Sequence, residues 1–182
     1  MAKILAFILL SIPILLTSWR SLRKYNSHGF YRFFSWEAIL LLFVFKIEYW
    51  FIAPFSFHQI VSWFLLFLSL WFVLAGAFEL KKKGKPTNIR NNPELFNFEK
   101  SSILVKTGIF KYIRHPMYSS LLLLSWGIFF KKPDWILLFA VISANVLLFL
   151  TARAEEKECI DYFGKAYTEY MKETKRFIPF IF

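Results

Sequence analysis

The stretch GIFKYIRHPMYSS, Gly108 to Ser120, closes a long basic segment and opens an apolar run. Pro116 disfavours helical geometry at His115 and suits the first turn of a helix that begins there. Arg114, His115 and Tyr118 therefore stand at the rim of a hydrophobic helix. The apolar run Pro116 to Phe130 ends in a tight turn, KKPD (Lys131 to Asp134), and a second run, Trp135 to Ala152, returns. A second polar cluster, RAEEKECIDYFG (Arg153 to Gly164), begins where that run stops. A hairpin of two apolar helices returns both clusters to the same side of a membrane, and we read the pair as one site.

Composition points to a membrane protein. The 182 residues are 57% hydrophobic and 21% aromatic, with 19% charged and a net charge of +11. A soluble domain averages roughly 25% charged residues. The basic balance is better explained by loops held on one side of a bilayer than by nucleic acid. A single cysteine, Cys159, excludes an intramolecular disulfide and a multi-cysteine metal site. His28, His58 and His115 lie far apart with no metal-ligand partner at helical spacing, so no metal is expected.

Upstream, three further apolar runs predict helices. Ile4 to Trp19 is near the lower limit for spanning. Arg20, Arg23 and Lys24 follow where a signal-peptide cleavage site would need small residues, so a retained helix is expected. The loop to Ser35 is basic and aromatic, as suits an interface. Trp36 to about Phe55 is the second span, ended by Pro54. Its charges, Glu37, Lys46 and Glu48, read either as end-of-helix groups with Lys46 snorkelling, or as functional intramembrane groups. His58 to about Leu80 is the third span, with Ala75, Gly76 and Ala77 as a patch for close helix approach. Lys81 to Ser102 is rich in turn formers and predicts no long helix.

After the fifth span the helix should leave the membrane as an amphipathic segment to about Phe163, interrupted at Gly164. Tyr167, Tyr170 and the tail RFIPFIF suit the interface. The expected fold is all-α and integral to the membrane, with about five transmembrane helices plus a C-terminal amphipathic cytosolic helix. It forms one domain over 1–182, with three N-terminal helices in 1–80 and a catalytic region in 81–182. Lysine and arginine number 19 in the first loop, the third loop and the tail, against 3 in the N-terminus and the other two links. The positive-inside rule then puts both polar clusters in the cytosol.

The clusters suggest chemistry. Arg114 offers a planar fork of donors for a carboxylate or phosphate. His115 can donate, accept or change charge near neutral pH. Tyr112 and Tyr118 offer aromatic faces to a purine or a sulfonium cation. Arg153 is three residues from Glu156 on a helix, close enough to pair. An interfacial anchor and a solvated helix face would explain the same residues separately; their co-location favours a site.

The blocks LVKTGIFKYIRHPMY (Leu104 to Tyr118), RAEEKECIDYFGKAYTEY (Arg153 to Tyr170) and RFIP (Arg176 to Pro179), in that order, resemble the isoprenylcysteine carboxyl methyltransferase family and the related phospholipid methyltransferases. The resemblance covers roughly the last 80 residues. It implies an integral membrane enzyme that uses S-adenosylmethionine, in a bacterial or archaeal inner membrane or the endoplasmic reticulum. Its partners would be the bilayer and a lipid-like or prenylated methyl acceptor. It further implies that Val105, Tyr112, Arg114, His115, Pro116, Tyr118 and Glu155 belong to the cofactor site. Glu156 completes that site, and Arg153 lies near the acceptor carboxylate. Ser120 departs from the family pattern, which commonly has glycine there. Phospholipid N-methylation is the alternative activity. Membrane sterol reductases, which use NADPH, share the C-terminal architecture, but their motif resembles RHxNY, whereas Pro116 and Met117 stand here. A non-catalytic sensor is a third reading, and it would not need to keep Arg114, His115, Glu155 and Glu156 together.

Overall fold

The computed structural model describes residues 1–84 and 101–180. Six α-helices carry nearly all of the described architecture: α1 (Ala2–Leu22), α2 (His28–Lys46), α3 (Phe57–Lys83), α4 (Pro116–Phe129), α5 (Trp135–Phe163) and α6 (Lys165–Glu173). The all-helical expectation holds. α1, α3 and α5 are each long and apolar enough to cross a membrane. α2 has 19 residues but carries Arg32, Glu37 and Lys46, and α4 has 14. At 1.5 Å per residue α4 covers only about 21 Å, short of a hydrocarbon core of about 30 Å.

Several boundaries differ from expectation. α2 begins at His28, not Trp36, because Ser27 caps it: the Ser27 hydroxyl accepts from the Phe30 N–H at 3.2 Å. The aromatic residues that suggested an interfacial loop form its first two turns. α2 ends at Lys46, and a 3-10 turn over Ile47–Tyr49 follows, well before Pro54. Lys46 does not snorkel; it is buried and bonded to Asp134 and to the Lys132 carbonyl at the turn between α4 and α5. Glu48 pairs with Lys3 at 2.8 Å, and Glu37 accepts from the Ser11 hydroxyl at 2.6 Å. α3 runs on through Lys83, and most of the polar segment after it, residues 85–100, lies outside the described residues.

These contacts sort the helix ends into two groups. One end gathers Lys3, Glu48, Lys46, Asp134 and Gln59, whose amide donates to the Tyr49 and Lys131 carbonyls. The other gathers His28, Glu158, Glu79 and Thr107. α1 to α5 thus alternate in direction, and the starts of α2 and α4 share an end with the C-terminal part of α5.

α2 packs along α5 and α3 along α4, around Leu42, Ile128, Val141 and Ala144. Serines reach across these seams to backbone carbonyls: Ser35 to Ala144 at 3.3 Å, Ser62 to Gly127 at 2.6 Å and Ser69 to Ser120 at 2.7 Å. Small hydroxyl residues that let backbones approach are what helix pairs in lipid use. The patch at Gly76 behaves as expected: a β-carbon there would stand 3.1 Å from Pro116 Cγ. The outward faces are apolar, with Leu16, Phe64, Trp71 and Ile136 exposed.

Candidate active site

Pro116 occupies the first turn of α4, and His115 before it is non-helical (φ −123°, ψ 61°), as the sequence requires. α5 continues unbroken past the apolar run, carrying Glu155 and Glu156 on the turn after Ala152. Gly164 then ends it with φ +58°, a left-handed conformation that suits glycine. α6 folds back so that Tyr167 and Tyr170 pack on Cys159, Leu104 and Phe163. Both tyrosines are buried, contrary to the expectation that they lie in the interface.

Beyond α6 the chain forms a strap against the segment before α4. Arg114 N–H donates to the Lys175 carbonyl (2.8 Å), His115 N–H to the Arg176 carbonyl (3.1 Å), and Lys175 N–H to the Tyr112 carbonyl (3.1 Å). The Ser119 hydroxyl adds a bond to the Phe177 carbonyl at 2.8 Å, and Tyr170 donates to the Phe110 carbonyl at 2.6 Å.

Charge is concentrated under this strap. Glu156, 5% exposed, accepts from Arg114 Nε at 2.9 Å and takes a two-pronged contact from Arg176, with Nη2 at 2.7 Å from Oε2 and Nε at 3.1 Å from Oε1. Arg114 also bonds the Thr174 and Met171 carbonyls. Glu156 is thus engaged by Arg114 and Arg176, and the helical pairing with Arg153 suggested by their spacing is replaced by long-range contacts. His115 lies between the carboxylates, Nδ1 3.5 Å from Glu155 and Nε2 3.4 Å from Glu156, and stacks on Tyr118 with ring centroids 5.4 Å apart. Burial alone would lower the His115 pKa, but hydrogen bonds to Glu155 and Glu156 outweigh it and raise the value above the ordinary range. Burial likewise opposes ionisation of Glu155, yet His115 brings it down to about 2. Glu156 is held well below the usual carboxylate range by His115 and Arg176 against the same desolvation.

These groups border a cavity of about 280 Å³. Val105, Arg114, His115, Pro116, Tyr118 and Glu155 line it. Glu156 sits behind Arg114 and His115. Tyr112 is 46% exposed and faces Phe180, and Arg153 is exposed with its guanidinium 5.9 Å from the Phe149 ring. Other parts of the wall were not singled out from sequence: Arg32 and Trp36 from α2, Val73 and Leu80 from α3, and Cys159, Tyr167 and Tyr170 from α5 and α6. The spacing of Tyr167 and Tyr170, three apart on a helix after a glycine break, was a signal for a buried face. Arg32 carried none, because it stood among residues that read as an interfacial loop.

The profile of the phospholipid methyltransferase family matches residues 57–166, from the start of α3 into α6 and through both polar clusters. The chain belongs to that family. It is also similar to "Methanethiol S-methyltransferase 1" of Bradyrhizobium diazoefficiens, with 28% identity over 119 residues, 65% of this chain. The chain spans 39% of that relative's length. No solved structure matches. The resemblance found in the motifs therefore holds for the phospholipid methyltransferases, in keeping with Pro116 and Met117 favouring the methyltransferases over the reductases. α1, α2 and the strap residues lie outside the matched range.

Proposed function

We propose that the chain is an integral membrane methyltransferase that uses S-adenosylmethionine and methylates the carboxylate of a prenylcysteine-like or other lipid-like acceptor. The observation that carries this reading is His115 and Glu155, backed by Glu156, on the wall of a largely apolar cavity at one mouth of the α4–α5 hairpin. When bound, the cofactor supplies a methyl group on a sulfonium. The residues fit it: a carboxylate and aromatic faces surround the cavity, and the His115 ring on its wall is buried between Glu155 and Glu156. Glu155 and Tyr118 suit the cationic end of such a ligand, and Val105, Tyr167 and Tyr170 its flat apolar part. Arg114, with Glu156 and Arg176, holds the strap closed over the cavity. The active site faces the cytosol in this reading, and residues 81–182 form the catalytic part of a single domain.

Methyl transfer is an in-line displacement, so positioning and exclusion of water supply most of the rate. The electrostatics favour a nucleophile that is already ionised. The neighbouring carboxylates raise the His115 pKa and so favour its protonated form, and Glu155, with a pKa of about 2, is a poor base. A carboxylate needs no base. Arg153, exposed where α5 leaves the membrane, would anchor it from the rim. The second reading is phospholipid N-methylation, favoured by the family match; an amine must lose a proton, and this cluster is badly poised to take it.

Labelled S-adenosylmethionine tests the reading with a prenylcysteine analogue and phosphatidylethanolamine as alternative acceptors. A carboxylate acceptor gives a methyl ester, whose label is released as methanol by base. Base-stable label on phosphatidylethanolamine alone would select the amine reading.

A further inference from the structure

We infer that Arg32, placed over the Trp36 ring, forms the subsite for an oxyanion carried by the methyl acceptor, so that the acceptor is an apolar molecule bearing a carboxylate or a phosphate. This rests on the methyltransferase reading above and adds to it the residue that selects the acceptor. Arg32 lines the same cavity as His115, Tyr118 and Glu155, and it is 2% exposed. Its guanidinium lies 5.2 Å from the Trp36 ring, and Trp36 is itself in the wall. Away from the His115 cluster the wall is mostly aliphatic and aromatic, with Val73, Leu80, Leu104 and Leu121. Holding a cation in such a place carries a desolvation penalty that polar partners must offset. Arginine is the cation whose planar fork matches a carboxylate or phosphate, and an aromatic face behind it fixes the plane of that fork.

Position along the helix supports the assignment. His28 is joined to Glu158 at 2.8 Å, and the Ser35 hydroxyl to the Ala144 carbonyl. Arg32 lies between them on α2, and so is set against the stretch of α5 between Ala144 and Glu158, where the apolar run gives way to Glu155. That is the depth at which the charged group of a molecule with its tail in the bilayer meets the cluster. Arg153 lies on the same level of α5 but outside the cavity wall. α2 ends at Lys46, ahead of the residues 57–166 matched by the family, so the subsite comes from outside the matched region.

With a carboxylate acceptor, an oxygen lone pair forms the O–CH3 bond as the S–CH3 bond breaks. The bonding pair stays on sulfur, leaving a neutral thioether, and no proton is released. With a phosphate-bearing amine acceptor, the phosphate occupies the subsite, nitrogen attacks, and its proton leaves to solvent.

The test uses the full chain in detergent, with S-adenosylhomocysteine binding by calorimetry, acceptor binding, and methyl transfer to a prenylcysteine analogue, to phosphatidylethanolamine and to methanethiol. Arg32→Gln should leave S-adenosylhomocysteine affinity within about threefold while raising KM for the oxyanion acceptor at least tenfold. Arg32→Lys should recover part of that loss. On the unaltered protein, the prenylcysteine analogue should bind at least tenfold more tightly than its carboxamide, which tests the subsite even if Arg32→Gln does not fold. Preference for the prenylcysteine analogue identifies a carboxylate source and preference for phosphatidylethanolamine a phosphate source; both support the subsite. Equal binding of acid and carboxamide, turnover of methanethiol alone, or loss of S-adenosylhomocysteine affinity in Arg32→Gln with unchanged acceptor KM each overturns it. Absence of S-adenosylhomocysteine binding by the unaltered protein would instead remove the reading on which it rests.

Discussion

His115 and Glu156 have different jobs, and substitutions should separate them. His115→Gln removes a ring that stacks on Tyr118 and lies between two carboxylates, without opening the strap. A hydrogen bond to a charged group is worth about 1.5–3 kcal/mol, so S-adenosylhomocysteine affinity should fall ten- to a hundredfold by calorimetry while helical content is kept. Glu156→Gln leaves the Arg114 and Arg176 guanidiniums without their carboxylate under the strap. Removing one partner of a buried pair costs about 3–5 kcal/mol, and the melting temperature in detergent should drop far more than for His115→Gln. The pH dependence follows from the same charges. His115 is raised in the folded state, so its contribution is complete below about 6.5 and is lost as pH rises through the raised value. Glu155 is lowered to about 2, so its contribution is present above the ordinary carboxylate range and is lost as pH falls towards 2. The melting-temperature difference between the parent and His115→Gln should therefore be flat around pH 5–6 and shrink in alkaline buffer; a difference that grows with pH would mean that His115 is neutral when folded. Arg153→Lys keeps charge but loses the fork. If Arg153 anchors the acceptor from the rim, transfer slows with cofactor affinity unchanged; equal transfer would make it a structural residue beside Phe149.

The helices were legible where periodicity and punctuation agreed, and less so where a polar residue interrupted an apolar run. Pro116, Gly164 and the KKPD turn each marked a boundary that the structure keeps, because proline and glycine act through local backbone geometry. The start of α2 was missed because its signal, the Ser27 cap, precedes residues that suit an interface equally well, and only contact with α5 selects helix. His115, Tyr118 and Glu155 were recognisable as one cluster because one hairpin brings them together. Arg176 and Arg32 were not assigned to it, since they reach it from the strap and α2 through contacts of long sequence separation. The junction of α3 and α4 is where packing positions the site. Gly76→Leu would force the start of α4 away from α3, since a β-carbon already stands 3.1 Å from Pro116 Cγ. We expect it to lower S-adenosylhomocysteine affinity more than tenfold. Gly164→Ala meets nothing within 4 Å and carries only the backbone cost of φ +58°, about 1–2 kcal/mol, so its affinity should stay near that of the parent. Equal behaviour of the two variants would mean that the α3–α4 approach does not hold the cavity in shape.

At the scale of the whole molecule, the charge asymmetry and the three-dimensional contacts bear on the same question by independent routes. Counting lysine and arginine assigns the first loop, the third loop and the tail to one side. Contacts such as His28 with Glu158 at one end, and Lys3 with Glu48 and Lys46 with Asp134 at the other, divide the helix ends into the same two groups without using the count. The positive-inside rule then names the side. α4 is the weak point of a five-span arrangement. Its length of about 21 Å crosses only if α3 and α5 shield its ends, and Lys131 and Lys46 are buried at its far end under aromatic and polar cover. Reporter fusions after Lys83 and after Phe182 should both report the cytosol, and a fusion after Lys132 should report the opposite side. If α4 and α5 instead dipped into the membrane and returned, the fusion after Lys132 would report the cytosol with the other two, and the cavity would still open to soluble cofactor. A non-cytosolic signal after Phe182 would place the His115 cluster away from cytosolic S-adenosylmethionine, and the proposed cytosolic active site would fall with it.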